Sequence, residues 1–227
     1  MANNIVELES VKSKILYAAA KLFLSIGYEQ STIMKIAEEA NVNRGSVIYF
    51  FKNKENIVCE LVAYVLEGQF DFVSDFLKDK TNDKIFFYAC ETTLQLYIAE
   101  SSNHLREMYN VAYSMPKSSE IIYQTITKKL EDIFKDYLPT WETKDFYERE
   151  ISSAGVMRNH MTVPCDMYFT MDRKISTFLE STFLLYYVDN KKIKEAIEFV
   201  KQFNFVELAK IVTENMLEYL KKKIEKL

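Results

Sequence analysis

The chain has 227 residues, 48% of them hydrophobic, a formal net charge of −4, and only 4 Gly and 3 Pro. Gly and Pro together make roughly 3% of it, against about 12% in an average protein, and sheets with tight connections need more of both. An all-β or Rossmann-type fold is therefore excluded, disorder is excluded by the apolar content, and the chain reads as all-α, a stack of long helices.

The first residues, MANNIVELES, show no basic start followed by an apolar stretch, so no secretory signal is expected. Ile15, Ala19, Leu22, Phe23 and Ile26 recur at three- and four-residue steps, which predicts an amphipathic helix ending at Gly27. Ser31 and Thr32 offer hydroxyls to cap the next helix, whose apolar face is Ile33, Ile36, Ala37 and Ala40. Asn41-Val42-Asn43 breaks it after barely two turns. A second short helix, Arg44–Phe50, turns Val47 inward together with the following Phe51. Two short helices across a three-residue turn, clamped by a longer first helix, make a helix-turn-helix whose second helix can enter a major groove. Residues 10–56 hold seven basic and four acidic side chains, a net of +3, while residues 57–227 carry a net of −5. Spacing and charge alone leave open a helical head that never touches DNA.

The string Ile15-Leu16-x-Ala18-Ala19-x-x-Leu22-Phe23-x-x-x-Gly27-Tyr28, then Ser31-Thr32-x-x-x-Ile36-Ala37, Val42-x-x-Gly45 and Phe51-x-x-Lys54-Glu55, resembles the TetR family of transcriptional regulators over about residues 11–60. The resemblance implies a DNA-binding domain over 1–52 and an effector-binding and dimerisation domain over 53–227. It implies a homodimer on pseudo-palindromic double-stranded operator DNA, a repressor released by a small-molecule effector. It makes Arg44–Phe50 the recognition helix. Arg44 has the fork geometry for guanine, Gly45 lets the backbone approach closely, and Ser46, Tyr49 and Phe50 belong to the reading element. Ser31 or Thr32 would bond a phosphate through hydroxyl and backbone N–H, and Lys54 matches the family's phosphate-contacting lysine. Two residues depart from the pattern. Asn41 stands where a turn Gly is usual and should adopt the same left-handed backbone; Ile48 stands where a Tyr is common.

Downstream, a long helix is expected from about Asn53 to Lys78, then helices over 83–99, 103–113, 117–138, 144–161, 168–188, 193–202 and 206–222. No run approaches the ~18 apolar residues of a membrane helix, so no membrane partner and a cytoplasmic location are expected. Cys59, Cys90 and Cys165, widely spaced without a CxxC, suit buried free thiols. Tyr97, Tyr109, Tyr113, Met115, Tyr123, Met157 and Met161 could line an adaptable pocket for an apolar or aromatic effector. Phe178, Thr182 and Leu185 on one late helix, with Leu208, Ile211 and Val212 on the last, are expected at a four-helix dimer interface. Gly155, inside a predicted helix, suggests a kink or a close approach by ligand. Glu100, His104 and Glu107 share one helical face, which makes a helical metalloprotein an alternative. A second alternative is a helical ligand- or protein-binding module that does not read DNA, which Ile48 permits. No Ser-His-Asp order, phosphate loop or HExxH motif is present, so neither an enzyme, a metal nor a cofactor is expected.

Overall fold

The structure, a computed structural model, describes the backbone of residues 2–225 and the side chains of residues 9–218. Among them the chain forms eleven helices and no strand. The first three, α1 (Ala2–Ile26), α2 (Ile33–Glu39) and α3 (Arg44–Phe51), make the head. The body follows as α4 (Lys54–Leu77), α5 (Lys84–Ser101), α6 (Asn103–Ser114), α7 (Pro116–Phe134) and α8 (Thr143–Thr162). It ends with α9 (Met171–Leu185), α10 (Asn190–Val200) and α11 (Phe205–Glu225).

Caps set the head's boundaries. Thr32 accepts from the Lys35 N–H (3.2 Å), Asn43 from Ser46 (2.8 Å) and Asn53 from Asn56 (2.9 Å), each satisfying a backbone donor that a helix start leaves orphaned. Gly27 ends α1 with φ +82°, and Asn41 takes φ +53° in the helix-turn-helix turn, the left-handed conformation expected of it.

The body is built around α5, which packs against α4, α6, α7, α8, α9, α10 and α11. A helix covered on all sides must bury its polar residues too, and Glu91, Thr92, Thr93 and Gln95 are buried with Tyr88, Cys90 and Leu94. Four rings from three helices meet here: Tyr186, just beyond α9, stacks on Phe134 of α7 with centroids 4.2 Å apart, and Phe183 of α9 and Tyr88 of α5 close the cluster. The first helix belongs to both parts, since α1 packs on α11 and α6 as well as on α2, α3 and α4. Cys59 and Cys90 are buried free thiols and Cys165 is a half-buried one. No described helix is long and apolar enough to cross a membrane.

Candidate nucleic-acid interface and effector cavity

The short helix α3 is anchored from beneath by Val47 and Phe51, both buried. Its outer side exposes Arg44, Gly45, Ile48 and Tyr49, with Tyr49 71% exposed, while Ser46 and Phe50 are half-buried. Tyr49 meets Phe50 edge-on with centroids 5.1 Å apart, which steadies its ring on the surface. Among the described residues Arg44, Lys35 and Lys52 are in no ion pair, so their charge faces solvent uncompensated. Met34 on α2 is also exposed, a surface residue that the sequence pattern did not single out.

Two of the expected phosphate ligands are differently employed. Ser31 is fully buried and its hydroxyl donates to the Gly27 carbonyl (2.6 Å), so it locks the α1–α2 turn and has no surface to offer a phosphate. Thr32 is exposed as the α2 cap. Lys54 Nζ donates to the Tyr28 carbonyl (2.6 Å) and lies 3.7 Å from the centre of the Tyr28 ring. Burial lowers this ammonium's pKa against the pull of Glu29 and Glu107.

The peptide that Lys54 grips from α4 is gripped from the other side by α6. Glu107 accepts from the Tyr28 N–H (3.2 Å) and the Glu29 N–H (3.0 Å), and His104 Nδ1 donates to the Leu24 carbonyl (2.9 Å). The end of α1 is thus held by two body helices at one turn. This separates the three residues weighed as metal ligands. Glu100 instead pairs with Arg106 (2.9 Å) and with the buried Lys174 (2.7 Å). Among the described residues no group of His, Cys, Asp and Glu could hold a metal ion.

A cavity of about 500 Å³ opens between α1, α4, α5, α6, α7 and α11. Of the seven aromatic and methionine residues expected at a pocket, Tyr109 and Tyr113 line it. The others are used in packing. Tyr97 stacks on Phe205 (5.6 Å) and Tyr123 meets Tyr147 edge-on (6.4 Å). Met115 receives the Tyr28 hydroxyl at 3.9 Å, and Met161 is buried in the core. Met157 lines a separate void of about 30 Å³ beside Glu91, Glu150 and Tyr113. Gly155 is exposed with nothing within 4 Å of where a Cβ would sit, so it lies on the face away from Met157 and approaches no cavity. The walls that sequence reasoning missed come from other elements: Phe23 and Leu24 of α1, Gln69 and Phe72 of α4, Val212 and Met216 of α11. Their spacing is that of ordinary core, and nothing local marks a cavity-facing Leu from a buried one.

Of the residues expected at the dimer interface, Phe178, Thr182 and Val212 are buried within one chain. Phe178 and Thr182 are 1% and 0% exposed, and Val212 is buried against the body, so none has surface left for a partner. Leu185, Leu208 and Ile211 are half-buried against the same core or beside it. Exposed apolar side chains of the body include Ile151 on α8, Leu184 on α9, Tyr187 just beyond it and Val206 on α11.

A short helix displayed on a helix-turn-helix head, joined through α4 and α6 to a larger helical body, is the architecture of a DNA-binding transcription regulator. Residues 15–61 match the model of the family described as bacterial regulatory proteins, tetR family. The biofilm operon icaADBC HTH-type negative transcriptional regulator IcaR of Staphylococcus epidermidis is 30% identical over 135 residues, 57% of this chain and 71% of that protein. The HTH-type transcriptional regulator QacR of Staphylococcus aureus is 28% identical over 132 residues, 56% of this chain and 70% of that protein. Among solved structures, RolR in complex with resorcinol superposes with a TM-score of 0.65 at 15% identity, covering 86% of this chain and 94% of that one, a likeness of fold. The chain belongs to the TetR family of transcriptional regulators, which are not enzymes.

Proposed function

We propose that the chain is a cytoplasmic repressor that binds a pseudo-palindromic operator as a homodimer and is released when a small apolar or aromatic effector enters its body. The observation that carries the DNA-binding reading is the display on α3: Arg44, Gly45 and Tyr49 face outward on a helix whose opposite side is pinned by Val47 and Phe51. Arg44 pairs with a base edge, the exposed Tyr49 takes over the backbone contact that Ile48 gives up, and Thr32 meets a phosphate. IcaR is named a negative regulator, which supports repression. Residues 1–52 read DNA and residues 53–227 sense the effector and dimerise.

The effector reading rests on the shared elements. The same α1 and α6 that wall the cavity through Phe23, Leu24, Tyr109 and Tyr113 also carry the contacts of Leu24, Tyr28, His104 and Glu107. A ligand that holds α6 away from α1 favours a state in which Glu107 no longer seats the head, and differential affinity for two states is all that release requires. Dimerisation uses the outer faces of α8 and α9, which pack on each other. Ile151 and Leu184 supply apolar contact there, and Gly155, without a side chain, lets a partner helix approach closely.

The test is a gel shift against the DNA upstream of the chain's own gene. Wild-type protein should retard it with a steep loss in salt, and Arg44→Ala and Tyr49→Ala should not at the same concentration. Equal retardation by both variants would place the reading face elsewhere.

A further inference from the structure

We propose that the 500 Å³ cavity is built for a cationic amphiphile: a small molecule whose apolar body fills it, whose inner hydroxyl or N–H bonds Gln69, and whose positive end sits at Glu67, Asp71 and Asp75. The inference deepens the reading of this cavity as the effector site and rests on it.

The wall is polarised by charge. Among the described residues its charged side chains are Glu67, Asp71 and Asp75, and no Lys, Arg or His lines it, although the chain has 29 Lys and Arg to place. The three acids follow each other at four-residue steps along α4 and are exposed, so they form one row at the mouth. Among the described residues none of them is in an ion pair. A carboxylate or phosphate entering here would lose water without gaining a cationic partner and would meet like charge, whereas an ammonium meets three carboxylates.

Deeper in, Gln69 is 2% exposed and lines the cavity. Its Nε2 donates to the Tyr109 hydroxyl at 2.6 Å, but its Oε1 is buried with no hydrogen-bond partner. A buried amide oxygen left unpaired is costly, and it is satisfied when a ligand brings a donor to it. The rest of the lining is largely apolar, with Phe23, Leu61, Met108 and Met216 among its side chains beside the polar Tyr64, Thr213 and Asn215. The volume lies within the ~300–1,000 Å³ of small-molecule pockets. The buried amide oxygen, the apolar walls and the exposed acids together ask a ligand for a donor, an apolar body and a cation.

Three ten-carbon probes with one hydroxyl end in common separate these features: 10-aminodecan-1-ol, decane-1,10-diol and 10-hydroxydecanoate. Titrated calorimetrically into the full-length protein at pH 7, the aminoalcohol should bind about tenfold tighter than the diol, and the hydroxyacid weakest. Glu67→Gln/Asp71→Asn/Asp75→Asn, on the surface of α4, should bring the aminoalcohol down to the diol and leave the diol unchanged. Gln69→Leu should weaken all three by roughly tenfold while decylamine, which lacks the inner hydroxyl, binds as before. Equal or tighter binding of the hydroxyacid, an order that survives the triple substitution, or no binding of any probe overturns the proposal. Release of upstream DNA by the aminoalcohol is measured separately. Binding with the predicted order but without release contradicts the effector reading and leaves the charge preference standing.

Discussion

The Glu107 carboxylate occupies the space in which a side chain at residue 27 would begin. A Cβ built on Gly27 lies 2.5 Å from Glu107 Oε2 and 3.2 Å from His104 Cδ2, and Gly27 has φ +82° besides. The turn that ends α1 is therefore open only so that α6 can reach the Tyr28 and Glu29 amides. Gly27→Ala should destabilise the chain by about 1–3 kcal/mol through backbone strain and displacement of Glu107. Gly68→Ala is the control: it lies inside α4 with nothing within 4 Å, and should stabilise by up to about 1 kcal/mol. Urea unfolding of both variants gives the comparison, and a Gly27→Ala protein as stable as its parent would disprove the contact.

Lys54 tests how the body holds the head. Its Nζ is bonded to the Tyr28 carbonyl and lies over the Tyr28 ring, opposite the Glu107 contact. If its work is to seat the head, Lys54→Ala lowers operator affinity while the slope of log affinity against log salt stays that of the parent. A phosphate contact would instead reduce that slope by about one counterion's worth. Gel shifts at four or five salt concentrations distinguish the two.

The core carries two carboxyls that resist ionising. Burial pushes Glu91 up to about 7, opposed by its bond from Gln95, and pushes Glu150 up to about 8, opposed by its bond from Ser153. The folded chain keeps protons that the unfolded chain releases near 4.5. The stability they contribute is full below that value and is lost as pH rises through about 7 and about 8. The denaturation midpoint should thus fall between pH 5 and pH 9. Glu150→Gln keeps the hydrogen bond and removes the proton, so its curve should be flatter; an identical pH dependence in wild type and variant would exclude Glu150 as its source.

Much of this molecule was legible in its residues, and what was not has a physical reason. The head was readable because caps and turns are local: Thr32, Asn43, Asn53, Gly27 and Asn41 each act within a few residues of themselves. Helix order in the body followed from periodicity. The roles of Ser31, Lys54 and Glu107 did not, because each bonds a backbone group of the α1–α2 turn, and a carbonyl or amide leaves no trace in sequence. Phe178 and Thr182 fell on an apolar stripe that serves the core of one chain, and periodicity does not say which of two cores a stripe enters. The cavity escaped for the same reason, since it is what six helices leave unfilled.

The dimer face proposed on α8 and α9 carries the exposed apolar side chains Ile151 and Leu184. Leu184→Glu or Ile151→Glu should convert the dimer to monomer, because either puts a charge into a face that must desolvate. Neither side chain contributes to the core, being 56% and 45% exposed, so the folded monomer should survive with unchanged helix content. Sedimentation velocity reads the outcome, and two intact dimers would move the interface away from α8 and α9.

Operator binding by Arg44→Ala tests the account most directly. The variant removes the one guanidinium of α3, on an exposed position that the fold does not need. Measured by fluorescence anisotropy on the chain's own upstream DNA at fixed salt, affinity should fall by roughly tenfold or more, the worth of a lost bidentate base contact, with thermal stability unchanged. Affinity equal to wild type would contradict the claim that α3 is the helix by which this protein reads DNA.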